Sequence, residues 1–127
     1  MNVVDSSGWL EYLADGPNAQ FFANAVEATG DLVVPAISIC EVFKRLLVQR
    51  GEDDALEAAV AMQQSHVEPL SSTLALDAAR LSVELGLPMA DSIILATARQ
   101  HDAVLWTQDS DFDGIAGVRY VATKEKA

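Results

Sequence analysis

Short apolar runs alternate along this chain with longer segments whose apolar residues recur at helical spacing, and that alternation leaves few folds open. Residues 2–5, 32–34, 66–70, 103–107 and 118–121 read as strands. Residues 6–14, 18–28, 38–49, 53–64, 72–85 and 89–100 read as helices, separated by Gly16-Pro17, Thr29-Gly30-Asp31, Gly51 and Gly86-Leu87-Pro88. Pro69 has no N–H for a ladder, so its strand belongs at an edge or stops there. Helical crossovers between strands impose parallel pairing. The order therefore predicts an α/β fold of three layers, a central mostly parallel sheet of four to five strands with helices on both faces.

At 127 residues the chain is expected to be a single domain, residues 1–127, able to bury roughly two thirds of its unfolded surface. Half the residues are apolar and few are aromatic, so the core should be built mainly from Ala, Val, Leu and Ile. Trp9, Leu10, Leu13, Phe21, Phe22, Ile39, Phe43, Leu46 and Leu47 are the expected inward positions of the first three helices. Cys40, the lone cysteine, lies in Ile37-Ser38-Ile39-Cys40 and reads as a small core residue. No apolar run approaches the ~20 residues of a membrane span, and Met1-Asn2-Val3-Val4-Asp5 lacks the parts of a signal peptide. A cytoplasmic location is expected, with residues 124–127 frayed.

The formal charge of −11 argues against a simple nucleic-acid-binding domain, because phosphate contacts normally need surplus Lys and Arg. Plain solubility explains acidity. A cation-loaded acidic pocket or a basic partner protein would also explain it, and would reconcile the charge with phosphate chemistry.

Four acidic residues stand where strands end or helices begin: Asp5, Glu41, Asp91 and Asp109. In open α/β folds that edge is the usual home of active sites. Each also has a plain reading. Asp5 can cap the next helix, and Glu41 can pair with Lys44 and Arg45 for ~0.2 to 0.5 kcal/mol each. Asp91 is harder to dismiss, since it shares a helical stripe with Ile94, Leu95 and Ala98, and a carboxylate on a buried stripe needs a partner. The run Asp109-Ser110-Asp111-Phe112-Asp113-Gly114 begins like a calcium loop, but its last ligand position holds Tyr120 and a strand precedes it. Two carboxylates ~5 Å apart repel by about 3 kcal/mol at an effective dielectric of 20. Convergence of several would call for a hard cation such as Mg2+ or Mn2+. His66 and His101 read as structural or surface residues, and no Ser-His-Asp or Cys-His set competes.

Four segments in order, Val3-Val4-Asp5-Ser6-Ser7, Ile37-Ser38-Ile39-Cys40-Glu41-Val42, residues 87–98 around Met89-Ala90-Asp91, and Leu105-Trp106-Thr107-Gln108-Asp109-Ser110-Asp111-Phe112, resemble the PIN-domain nucleases. More narrowly they resemble the VapC-type toxins of toxin–antitoxin pairs. The resemblance implies a PIN-like fold and makes Asp5, Glu41, Asp91 and Asp109 the catalytic set, with Asp5, Asp91 and Asp109 on the metal. Thr107 would support that site, Ser6 would donate to Asp5, and Asp111 competes with Asp109 as the nearer ligand. The resemblance further implies an Mg2+- or Mn2+-dependent endoribonuclease cutting structured RNA such as tRNA or rRNA, a homodimer neutralised by a cognate antitoxin. Lys44 and Arg45, one helical turn beyond Glu41, are the candidates for substrate phosphate contact.

Two other functions remain open on the sequence. One is a non-catalytic PIN-like domain that binds a basic partner through its acidic face. The other is a magnesium-dependent phosphatase or receiver-like protein, which would usually place a Lys near the cluster, and no Lys follows a late strand. The apolar side of Trp9, Leu10, Leu13, Phe21 and Phe22 can be core or a groove for an amphipathic partner segment.

Overall fold

The computed structural model describes residues 1–125 and follows the expected alternation. The strands are β1 (Asn2–Val4), β2 (Val33–Pro35), β3 (His66–Glu68), β4 (Val104–Thr107) and β5 (Val118–Tyr120). The helices are α1 (Ser6–Leu13), α2 (Ala19–Glu27), α3 (Ala36–Gln49), α4 (Glu52–Met62), α5 (Ser72–Leu85) and α6 (Met89–Gln100). Single 3-10 turns at Thr29–Asp31 and Ser110–Phe112 complete the described elements. Helix α3 starts two residues earlier than its apolar spacing suggests, because Pro35 is extended and the helix begins directly after it. Strand β3 stops before Pro69, as the missing N–H requires.

Every strand pairing is parallel. Hydrogen bonding divides the strands into a three-stranded sheet, β1-β4-β5, and a two-stranded sheet, β2-β3, where one continuous sheet of four to five strands was expected. A single bridge between Asn2 and Leu32 joins the two. Asn2 meets Leu32 there, one residue before β2 begins, so the contact between the two sheets lies outside the β2 ladder. The spatial order is therefore β3-β2-β1-β4-β5. The chain steps outward from β1 to β3 and then crosses back to the other side of β1, which makes the β1–β4 boundary the topological switch point.

Six helices cover both faces of this array. One side of the core packs Val4, Trp9, Phe22, Leu32, Val42 and Met62 together, and the other packs Val3, Val33, Ile94, Leu95, Leu105 and Phe112. Alternation along β1 sends Val3 to one side and Val4 to the other. Trp9 and Phe22 are thus core residues, with Leu10, Leu13 and Phe21 partly buried around them.

Two expectations on α3 fail for one reason. Its buried residues are Ser38, Val42 and Leu46, a narrow stripe at i, i+4 and i+8. Cys40 and Leu47 lie on the opposite face at 100° per residue, and both are exposed. Residues 124 and 125 lie outside any regular element, while the rest of the expected frayed end falls outside the described residues. No single helix among the described residues is long and apolar enough to cross a membrane.

Candidate metal centre

Asp5 follows β1 and caps α1, as its plain reading expects, and the same residue lines an open cleft. Its Oδ1 accepts from the Gly8 backbone N–H at 2.9 Å and from Ser7 Oγ at 2.8 Å. Its Oδ2 accepts from Thr107 Oγ1 at 2.6 Å. The side chain is buried with only 2 % of the residue exposed. Burial pushes its carboxyl up to about 6, partly opposed by the Thr107, Gly8 and Ser7 hydrogen bonds and reinforced by the negative charge of Asp109. Gly8 is required at this junction. A Cβ there would stand 2.6 Å from Val4 Cγ1 and 2.7 Å from the Phe22 ring.

Strand β4 lies beside β1 with Val4 opposite Trp106, so its end brings Thr107 against Asp5. Thr107 is fully buried, and its hydroxyl also accepts the Asp109 N–H at 2.9 Å, joining the two acidic positions through one oxygen. Asp109 in turn caps the 3-10 turn by accepting the Asp111 N–H at 2.9 Å. Both bonds fix the acidic loop at the carboxyl edge of the sheet.

Helix α6 runs back toward β4, which places its first turn, and Asp91, at that same edge. Asp91, Asp109 and Asp111 each offer an oxygen within 4.8 Å of the others. The expected inward stripe is present: Ile94, Leu95 and Ala98 are buried, and Asp91 sits at its mouth, partly buried. Among the described residues no donor bonds its carboxylate, and no cation pairs with it. Desolvation, followed by the charges of Asp109, Asp5, Asp111 and Glu41, pushes its carboxyl up to about 7. A helix N-terminus favours a negative charge by only ~0.3 to 1 kcal/mol, whereas one like charge at about 5 Å costs ~3 kcal/mol, so repulsion wins.

Glu41 lies in the second turn of α3 and accepts from Ser6 Oγ at 2.6 Å. This corrects the expected role of Ser6. The Asp5 donor is its neighbour Ser7, which the sequence reading passed over although the Asp-Ser-Ser run at a helix start offered it. Ser6 points instead across to α3. Glu41 forms no ion pair with Lys44 or Arg45 among the described residues. Asp5, Ser6, Ser7, Glu41, Asp91 and Asp109, with Lys44 and Arg45 on the wall, line an open cleft of about 600 Å³.

The donor set is all oxygen and strongly acidic, and its least compensated member, Asp91, has no partner among the described residues. Those properties suit a hard divalent cation. The carboxylates gathered in the cleft are Asp5, Glu41, Asp91 and Asp109, and Asp111 stands at the rim, exposed.

A sequence model of the PIN domain matches residues 3–118. No curated protein matches the sequence. Among solved structures, a toxin–antitoxin complex from Klebsiella pneumoniae superposes with a TM-score of 0.79 at 24 % identity, covering 94 % of this chain and 96 % of that one. Mycobacterium tuberculosis VapC20, a toxin that cleaves the sarcin–ricin loop, gives 0.76 at 18 % identity over 91 % and 95 % of the two chains. A DNA-bound VapBC complex from Salmonella typhimurium gives 0.72 at 15 % identity over 96 % and 98 %. These similarities are of fold.

Proposed function

Because this chain belongs to the PIN-domain family, we propose that it is an Mg2+- or Mn2+-dependent endoribonuclease, the toxin of a toxin–antitoxin pair acting in the cytoplasm. The observation that carries this reading is the convergence of Asp91, Asp109 and Asp111 oxygens within 4.8 Å at the mouth of a cleft that also holds Asp5 and Glu41. Asp5, Asp91 and Asp109 hold the metal, with Asp111 as the alternative to Asp109. The bound ion supplies a Lewis acid for the phosphodiester and an acidified water as nucleophile.

The chain's own residues set up that chemistry. Thr107, Ser7 and the Gly8 N–H hold the Asp5 carboxylate in one orientation, so its remaining lone pairs face the cleft. Ser6 holds Glu41 in the same way, through the 2.6 Å bond its Oγ donates, on the wall of the same cleft. Lys44 and Arg45 stand on the cleft wall and meet the phosphates flanking the cut, which offsets the acidity of the floor.

The partner reading rests on the same cleft. Solved relatives are described as toxin–antitoxin complexes. Here Val48 lines the cleft with the carboxylates, and it and its exposed neighbour Leu47 on α3, with exposed Leu56 and Val60 on α4, offer apolar surface to an amphipathic antitoxin segment. A basic side chain of that segment would neutralise the floor and block it. Exposed Leu76, Val83 and Met89 on α5 and α6 give a homodimer a separate surface to bury.

The test is to incubate the purified chain with total cellular RNA, with and without Mg2+ or Mn2+, and map the new ends. Metal-dependent cuts at a defined site in tRNA or rRNA are expected. Cutting that persists in chelator, or that survives both Asp5→Asn and Asp91→Asn, would overturn the proposal.

A further inference from the structure

A second cluster of metal-ligating side chains lies away from the cleft. His66 and Glu68 are the two ends of β3, and residues two apart on a strand project to the same face. His101 is the C-cap of α6, whose 12 residues span about 18 Å and separate it from Asp91 at the other end. His101 Nε2 lies 2.6 Å from Glu68 Oε1, and His66 Nε2 lies 3.9 Å from the same oxygen. One ligand atom from each of the three residues falls within 4.8 Å of the other two.

We propose that His66, Glu68 and His101 form a Zn2+ site that clamps edge strand β3 to the end of α6. The distances favour zinc. Tetrahedral zinc with bonds of ~2.0 to 2.1 Å sets its ligand atoms about 3.3 Å apart, and the 2.6 and 3.9 Å separations straddle that value. Two imidazole nitrogens and one carboxylate oxygen are a known zinc donor set, which leaves the fourth position for water. Imidazole donors also select against Mg2+, so this site and the acidic cleft would sort different ions.

Local structure supports the geometry. Both anchors are rigid: the His66 N–H donates to the Leu32 carbonyl at 3.3 Å, and the His101 N–H bonds back onto α6 at Ala98 and Thr97. The Glu68 and His101 side chains are largely covered, at 17 % and 23 % exposure, while His66 at 58 % is free to turn inward. The two imidazoles are already in contact edge to face, with ring centroids 5.6 Å apart and planes inclined at 62°. The ion would replace the hydrogen shared between His101 Nε2 and Glu68, so no buried group loses a partner.

The experiment is a calorimetric titration of Zn2+ into the whole chain in excess Mg2+, which occupies the carboxylate cleft. One equivalent should bind with a dissociation constant of about 10 µM or tighter. His66→Ala, at an exposed position where the fold does not depend on the side chain, should weaken it at least tenfold, and Asp91→Asn should leave it unchanged. Binding weaker than that, binding indifferent to His66→Ala, or binding lost in Asp91→Asn would each overturn the site. None of these outcomes depends on whether the cleft cuts RNA.

Discussion

The two ends of α6 treat charge in opposite ways. At the first turn Asp91 faces Asp109, Asp5, Asp111 and Glu41 with, among the described residues, no cation and no hydrogen-bond donor, and desolvation and those charges drive its carboxyl up to about 7. At the last residue His101 meets Glu68 at 2.6 Å, a contact in which the imidazole supplies what the carboxylate needs. One helix thus has an end where a protein side chain already partners the carboxylate, which a bound ion would replace, and an incomplete end where, among the described residues, none does. Proteins seldom keep partly buried carboxylates crowded together unless something outside the chain completes them. The incomplete end is the one at the topological switch point.

The largest effect should come from the incomplete end. Asp91→Asn should cut the rate of metal-dependent RNA cleavage by about a hundredfold or more, read as initial rates at a fixed metal concentration, because an anionic ligand of the proposed cation is lost. Its circular dichroism should not change. A variant that keeps most of its rate would remove the contrast between the two ends.

Gly8→Ala should be the most damaging change to stability near the site. The added methyl would overlap Val4 and Phe22 and displace the N–H that holds Asp5, costing about 1–3 kcal/mol in urea unfolding and lowering cleavage as well. Thr107→Val keeps the shape but strips the 2.6 Å donor from buried Asp5, for a loss of about 1–2 kcal/mol.

The pH dependence is specific to the metal-free chain. Asp5 and Asp91 both have raised carboxyl pKa values, so between about pH 4 and 7 the folded chain keeps protons that the unfolded chain has released. Stability should therefore fall as pH rises through that window, more weakly than the shift on partly exposed Asp91 alone suggests, because solvent screens it. Asp91→Asn should flatten the upper part of the fall. Replacing both Lys44 and Arg45 with Ala should have the smallest effect on the fold, under about 0.5 kcal/mol, while weakening RNA binding in a filter assay.

Much of the cleft was legible in the sequence because its members sit at local signals. Asp5 and Asp109 follow strands, and Asp91 follows Pro88 on a stripe with Ile94, Leu95 and Ala98. The alternation of elements carried the parallel α/β arrangement for the same reason. What was not legible depends on helical phase or on contacts between distant segments. Cys40 and Leu47 sit in an apolar run that fits two phases of α3, and only packing against the core selects Ser38, Val42 and Leu46. The exchange of roles between Ser6 and Ser7 depends on where α3 passes, 35 residues later. The split into three and two strands depends on the pairing between distant segments at the β1–β2 seam, where Asn2 bridges to Leu32 ahead of β2. His66 and His101 read from sequence as structural or surface residues, and only the fold brings them together at Glu68.

The central claim is that the crowded carboxylates at the start of α6 are completed by a divalent cation, and a carbon-13 NMR titration of the Asp91 carboxyl tests it most directly. Without metal the group should titrate near 7. With saturating Mg2+ or Mn2+ the midpoint should fall below the ordinary carboxylate value, because a bound cation favours the charged form. A midpoint that does not move when metal is added would contradict the account.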